Sequence, residues 1–307
     1  QNLDLLGEAG PDHVLVLAGD HVYKMDYAVM LADHVASGAD LTVACIEVPV
    51  EQASGFGVIR VDEQRRVRAF EEKPARPDPL PGRPGVVLAS MGIYVFNASF
   101  LVDELIRDAR DPDSTHDFGR DLIPHVVARQ PVHAHRFEDS CVRPPGARPY
   151  WRDVGTVDSY WEANLDLTQI LPELDLYDEH WPILSLQPQL PPAKFVFDDL
   201  GRRGMAVDSL VSSGCIVSGA TVRRSILFSK VRVGERSLVE ESVVLPGVNI
   251  GADVVIRRAV VDKRCVIADG TQIGVDAAAD RERFHVTERG IVLVTPEMLG
   301  QSVHTVY

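Results

Sequence analysis

Apolar residues along this chain follow two different rhythms, and the change between them divides it. In the first half, runs of alternating or continuous apolar residues are separated by helical periods. Val14–Leu17 followed by Ala18, Gly19 and Asp20 reads as a strand buried on both faces and closed by a turn. Tyr27, Met30, Leu31, His34 and Val35 fall at i, i+3, i+4, i+7 and i+8, which predicts a helix capped by Asp26 and stopped by Gly38. Leu41–Ile46 reads as the next strand. Val58–Val61 and Val67–Phe70, flanking the polar turn Asp62-Glu63-Gln64-Arg65, read as a hairpin. The prolines between Pro74 and Pro84 exclude helix and central strand and predict a surface loop. Ile93–Phe96 then resumes the sheet. Helices are expected from Asn97 or Ser99 through Ile106, and from Phe118 through Arg129 despite Pro124. Strand and helix alternate, as in a mostly parallel sheet flanked by helices.

From Ser209 the period becomes 17. Ile216, Val233, Ile250 and Ile267 form one column, and Val222, Val239, Ile256 and Ile273 another. Leu210, Leu227, Val244 and Val261 keep the same spacing, as do Ile226, Val243 and Val260, while Gly234 and Gly251 both follow the first column. Strong positions about six residues apart within each turn are the hexapeptide rhythm of a parallel β-helix with one face a residue short. An antiparallel sandwich is the alternative, but hairpin turns would not hold a 17-residue register. Between the two rhythms, the Pro-rich, acidic stretch from about Leu171 to Gly204 reads as a linker. The expected domains are therefore residues 1–170, an α/β unit, and 205–307, a coil, joined by 171–204.

Composition narrows the function. With 31 basic and 45 acidic residues the net charge is −14, which argues against a nucleic-acid footprint and leaves room only for a small, local phosphate site. Cys45, Cys141, Cys215 and Cys265 have neither zinc-ligand nor disulfide-framework spacing. A cytoplasmic protein is the expectation, since no signal peptide or apolar run of spanning length is evident and no membrane partner is implied. The chain opens without Met, in what looks like the tail of a helix, and reads as a fragment.

Candidate chemistry lies at strand ends. Asp20 sits where open α/β sheets place ligands, although taken alone it reads equally as a turn-capping aspartate. Lys73 leaves the hairpin beside the Pro-rich loop, where an isolated lysine is usually solvated. Ser90 and Tyr94 flank a strand, and Asp153 precedes Val154 and Gly155.

Together, LAGDHVYKMDY, SGFGVI, FEEKP, LASMGIYVF, HDFGRDLIP and YWRDVGT resemble the sugar nucleotidyltransferases in order and spacing. The linker phrases ELDLYDEHWPI and LPPAKFVFDD, with IVLVTPEML, resemble the bacterial glucose-1-phosphate adenylyltransferase family within them. The resemblance implies a Rossmann-like (GT-A-like) mixed sheet with helices, truncated at its N-terminal part, followed by a left-handed parallel β-helix. It implies transfer of an adenylyl group from ATP to glucose 1-phosphate, with Mg²⁺ held by Asp20 and Asp153. Lys73 would contact the sugar phosphate, Glu72 and Gly57 the sugar, Ser90 the sugar phosphate, and Tyr94 and Asp117 the sugar pocket. It further implies a homotetramer controlled by sugar phosphates and adenine nucleotides. Lys263 then lies in the effector region, within a basic group of Arg257, Arg258, Lys263 and Arg264.

The family's Gly-rich, Arg-containing phosphate loop and base pocket are expected before the first residue, on roughly a hundred further residues. The 307 residues alone are accordingly expected to be inactive, and adenine selectivity is not legible in them. Uridylyl-, thymidylyl- or guanylyltransferases share the same aspartates and lysine, and a noncatalytic regulatory subunit would keep the fold.

Overall fold

The computed structural model describes residues 3–199 and 202–302. They form two compact units: one reaches to Gly19 and covers Tyr23–Pro149, and the other holds Asp20–Val22 with everything from Tyr150 onward.

The elements through residue 166 are α1 (Leu3–Ala9), β1 (His13–Val16), β2 (His21–Tyr23), α2 (Tyr27–Ser37), β3 (Leu41–Pro49), β4 (Gly57–Val61), β5 (Val67–Glu72), β6 (Val86–Asn97), α3 (Ala98–Ala109), α4 (Ile123–Val127), β7 (Val132–Arg136), α5 (Phe137–Ser140), β8 (Trp151–Asp153) and α6 (Val157–Asp166). A single turn of π-helix, Phe118–Leu122, runs directly into α4. Pro124 sits in the first turn of α4, where its missing N–H would have no helical partner.

The sheet of the first unit is mixed, as the family resemblance implies and not mostly parallel as the strand–helix alternation suggests. Its order is β5-β4-β6-β3-β7, with β1 also on β6, and β3 with β7 is its one parallel pairing among the described residues. The β1–α2–β3 segment does return the chain in the same direction. However, β6 arrives from the later hairpin and lies between β1 and β3, antiparallel to both.

β6 is bulged. Cα register with β3 jumps between Val43 and Cys45, leaving Met91–Ile93 opposite Ala44, and Gly92 takes φ +65° there, where a side chain would be strained. The Ser90 and Tyr94 hydroxyls, one on each side of this bulge, are hydrogen-bonded to each other.

β1 is not buried on both faces as expected. Val14 and Val16 pack on the core, but Leu15 and Leu17 remain 38% and 44% exposed. α2 starts and stops as the sequence predicts, with Asp26 accepting the Ala28 N–H and Gly38 in the left-handed region. Its buried stripe is narrower than predicted: Met30 and His34 are covered, whereas Leu31 and Val35 are exposed. The Pro74–Pro84 stretch forms neither helix nor ladder strand beyond an isolated Leu80–Arg83 bridge, as expected.

In the second unit, three parallel ladders wind a left-handed parallel β-helix around one apolar core that includes Val217, Val222, Leu227, Val239, Val244 and Ile256. The 17-residue step holds from Thr221–Arg223 onward: Val222, Val239, Ile256 and Ile273 pair in sequence. One coil step is 16, because Ile216 pairs Arg232 and Leu210 pairs Ile226. Val217 and Val211, rather than the expected Ile216 and Leu210, therefore stand in the columns with Val233 and Leu227. The deletion sits at the corner Gly219-Ala220, where the later coils place three residues, Glu235–Ser237 and Ala252–Val254. Gly219 turns that short corner at φ +57°. Gly234 is required for a different reason: a Cβ there would stand 2.5 Å from the Gly251 carbonyl oxygen of the next coil.

Two apolar columns share one ladder. Leu227, Val244 and Val261 face inward, while Val243 and Val260 face outward and, with Ile291, receive Tyr160, Trp161 and Leu165 of α6. The Trp161 indole N–H donates to the Glu241 carbonyl at 2.7 Å, and the Thr287 hydroxyl donates to Asp158 at 2.7 Å. The stretch from 171 to 193 carries no helix or strand, and Lys194–Val196 already pairs with Ile216–Ser218 as part of the coil.

Candidate active site

Asp20 follows β1 by one turn and precedes β2, and Asp153 ends β8. The Val154 N–H donates to the Asp20 carbonyl at 2.9 Å, tying the two segments by backbone. The Gly155 N–H donates to Asp153 Oδ1 at 2.8 Å and fixes that carboxylate. Thr156 then caps α6 in a reciprocal box with Ser159, so the turn holding Asp153 is anchored by a helix start. A Cβ placed on Gly155 would lie 3.0 Å from Asp153 Oδ1 and 3.1 Å from Asp20 Oδ2. Oxygens of both side chains therefore converge on one small volume that only the lack of a side chain at residue 155 keeps open.

Asp20 is 57% exposed, so a ligand can reach it, and His21 Nε2 lies 3.7 Å from its Oδ1, the ring standing edge-on to Trp151. Two carboxylates so placed repel each other by about 4 kcal/mol at 4 Å and an effective dielectric near 20. A cation reverses that sign. Among the described residues no group of three or more His, Cys, Asp and Glu side chains could hold a metal. Two hard oxygen donors with open space beside them fit a magnesium ion, which binds through one or two carboxylates and keeps water or substrate oxygens as its other ligands.

A second cluster belongs to the first unit. Glu72 ends β5 directly opposite Gly57 of β4, and a Cβ on Gly57 would stand 3.0 Å from Glu72 Oε2. Gly119 approaches the same oxygen, where a Cβ would stand at 2.8 Å. The half-buried Glu72 carboxyl is held above its ordinary range by burial and by Asp117, against the pull of Lys73 and Arg120. Lys73 takes a left-handed φ of +47° just past the strand, which turns its amine back to 4.0 Å from Glu72 Oε1 while leaving it 61% exposed.

Tyr94 lies against the same charges. Burial, first of all, pushes its hydroxyl up to about 12, with Glu72 and Asp117 adding and the Ser90 hydrogen bond opposing. Its ring stacks on Phe118 at 5.9 Å between centroids, and Asp117 accepts the Arg120 N–H at 2.8 Å. Gly57, Glu72, Lys73, Ser90, Tyr94 and Asp117 are thus gathered in one place. Carboxylates that accept hydroxyl hydrogens, an aromatic platform and one exposed ammonium suit a polyhydroxylated molecule carrying an anionic group.

A model of the nucleotidyl transferase family matches residues 1–170, and one of the GlmU-like C-terminal hexapeptide matches 191–294. Over 306 residues the chain is 61% identical to a glucose-1-phosphate adenylyltransferase of Nitrosospira multiformis, covering 100% of this chain and 72% of that protein. Proteins of the same name from Methylobacillus flagellatus and Paramagnetospirillum magneticum are 62% and 60% identical, over 99% and 97% of this chain and 71% and 70% of theirs. The chain belongs to the glucose-1-phosphate adenylyltransferase family. It is accordingly a nucleotidyltransferase.

The basic group expected on the coil of this family member is not one patch. Arg257 ends the strand Val255–Arg257 and Arg258 forms the corner before Ala259–Val261, whereas Lys263 and Arg264 lie at the corner after it. Arg257 pairs with Glu240 at 3.2 Å, and Arg258 reaches over the Trp161 ring and to the Arg289 carbonyl. Two consecutive basic pairs in sequence point to different corners because each coil turns between them. Phe118 and Gly119 of HDFGRDLIP and Gly155 of YWRDVGT complete these clusters without a signal of their own in the sequence, because glycine carries no chemistry and the close approach that requires it appears only in three dimensions.

Proposed function

We propose that this chain is the nucleotidyl-transferring part of an enzyme that makes ADP-glucose and pyrophosphate from ATP and α-D-glucose 1-phosphate, the first committed step of glycogen synthesis. In the reaction a phosphate oxygen of the sugar phosphate forms a bond to the α-phosphorus of ATP, and the bond from that phosphorus to the bridging oxygen breaks, releasing pyrophosphate. No protein nucleophile is required, so positioning and charge stabilisation carry the catalysis. Lys73 would hold the sugar phosphate, with Ser90 as a further contact. Glu72 and Asp117 would accept hydroxyl hydrogens of the glucose, Gly57 would leave room for the ring, and Tyr94 with Phe118 would form an apolar wall that excludes water. Asp20 and Asp153 would hold Mg²⁺, which when bound offsets the negative charge of the phosphates.

The observation that carries this reading is the convergence of the Asp20 and Asp153 carboxylates on the open space at Gly155. We further propose a cytoplasmic homotetramer under allosteric control by sugar phosphates and adenine nucleotides, with Lys263 in the effector region. The intact Asp20, Lys73 and Asp153 speak against a noncatalytic regulatory subunit.

Two experiments test the reading. Calorimetric titration should show saturable binding of glucose 1-phosphate, and Lys73→Ala should weaken it at least tenfold, the loss of one hydrogen bond to a charged group of about 1.5–3 kcal/mol. Unchanged binding in that variant would remove Lys73 from the site. In an assay with glucose 1-phosphate, pyrophosphate release from ATP should exceed that from UTP, dTTP or GTP, and preference for any of those three would contradict the adenylyl assignment.

A further inference from the structure

The short corner of the coil lies beside a recess of about 480 Å³ whose wall includes Arg203, Thr221, Arg223, Arg236, Glu240 and Arg257. Four arginines against one glutamate is an unusual lining for a chain of net charge −14. Three of these arginines are held by carboxylates: Arg203 by Asp198 at 2.7 Å, Arg236 by both oxygens of Asp253, and Arg257 by Glu240 at 3.2 Å. Their forks are therefore oriented in advance. Arg223 differs: among the described residues its guanidinium has no ion pair or hydrogen-bond partner.

The ladder explains why. Arg223, Glu240 and Arg257 stand opposite one another on successive strands, so two arginines flank one carboxylate at a rung spacing of about 4.8 Å. Glu240 goes to Arg257, and Arg223 keeps an uncompensated charge inside a concave surface. Thr221 stands two residues away on the same strand and so on the same face, with its hydroxyl unengaged among the described residues.

We propose that this recess binds a small dianion of the phosphate monoester class, with Arg223 as its principal contact and Arg257 and Thr221 completing the cradle. A tetrahedral dianion presents enough oxygens for two guanidinium forks and a hydroxyl together, and its second charge repays loosening the Arg257–Glu240 pair, which a monoanion would not. The site lies on the outer face of the coil and uses none of the residues assigned to nucleotidyl transfer.

The test is chemical modification of arginine by phenylglyoxal, read peptide by peptide by mass spectrometry on the full chain in its native assembly. Arg223 should be among the fastest-reacting arginines, and millimolar inorganic phosphate should slow its modification at least fivefold, while chloride at equal ionic strength does not. Arg257→Gln should raise the phosphate concentration needed for that protection several-fold, with the fold unchanged by circular dichroism. Equal protection by chloride would show screening only and overturn the proposal. So would protection untouched by Arg257→Gln, or an Arg223 already unreactive without phosphate because another copy of the chain covers it.

Discussion

At Gly155, two carboxylate oxygens each lie about 3 Å from the spot that a single methyl group would occupy. Gly155→Ala should therefore weaken divalent-metal binding several-fold by pushing Asp20 and Asp153 apart. The melting temperature should change little, because the residue is exposed and its φ is not in the left-handed region. Manganese titration with a parallel thermal melt checks this, and unaltered metal affinity would mean that the open space serves nothing. Gly119 plays a comparable part beside Glu72. The strand-end positions of Asp20, Asp153 and Lys73 were legible in the sequence, but each alone reads as a turn or surface residue, and only the motifs around them pointed to a site. Phe118 was not, since an aromatic in a motif looks the same whether it fills a core or forms a platform for a ligand.

Two elements carry predictions of their own. α2 is fastened to β7 and α5 through buried polar contacts: Asp33 accepts from His135 Nδ1 at 2.7 Å and His133 Nε2 at 3.1 Å, and His135 Nε2 accepts from the Ser140 hydroxyl at 2.8 Å. Burial holds the His135 and His34 imidazoles below their ordinary range, despite the opposing bonds to Asp33 and Asn97. The unfolded chain then binds these protons more readily than the folded one. Stability is complete above the unfolded histidine value near 6.5 and is lost as the pH falls below it, by at most about 1.4 kcal/mol per pH unit for each proton. The urea midpoint of the first unit should drop between pH 7.5 and 6.0, and a flat or rising midpoint would show that these histidines titrate as in the unfolded chain.

In the coil, Leu227 is fully buried in the continuous core. Leu227→Ala should cost about 2–5 kcal/mol, measured as a fall in the unfolding free energy of the coil. A loss under 1 kcal/mol would indicate that the coils slip to refill the space. The columns were legible because stacking imposes a fixed period. The one-residue slip at Gly219 was not, because Ile216 and Val217 are equally apolar and only strand pairing separates them. The same limit applies to β6: alternating apolar residues announce a strand, but nothing local says which earlier strands it will lie between.

For the whole molecule, the change of period near residue 205 and the identity to its relatives agree on a nucleotidyltransferase region followed by a hexapeptide coil. Compactness draws the line differently: residues 150–170 cluster with the coil, since α6 spends its aromatic face on Val243 and Val260. That allegiance depends on long-range contacts that composition does not register. The proposed tetramer predicts a light-scattering mass in solution of four times the chain's 33.8 kDa, and a monomer at micromolar concentration would contradict it.

Metal binding by the carboxylate pair tests the account most directly. Manganese titrated into the chain at saturating glucose 1-phosphate, with free ion read by electron paramagnetic resonance, should show one site, and Asp20→Asn and Asp153→Asn should each weaken it tenfold or more. Both variants should keep the wild-type circular dichroism. If either one binds manganese as the wild type does, the two aspartates do not share an ion and the assignment fails.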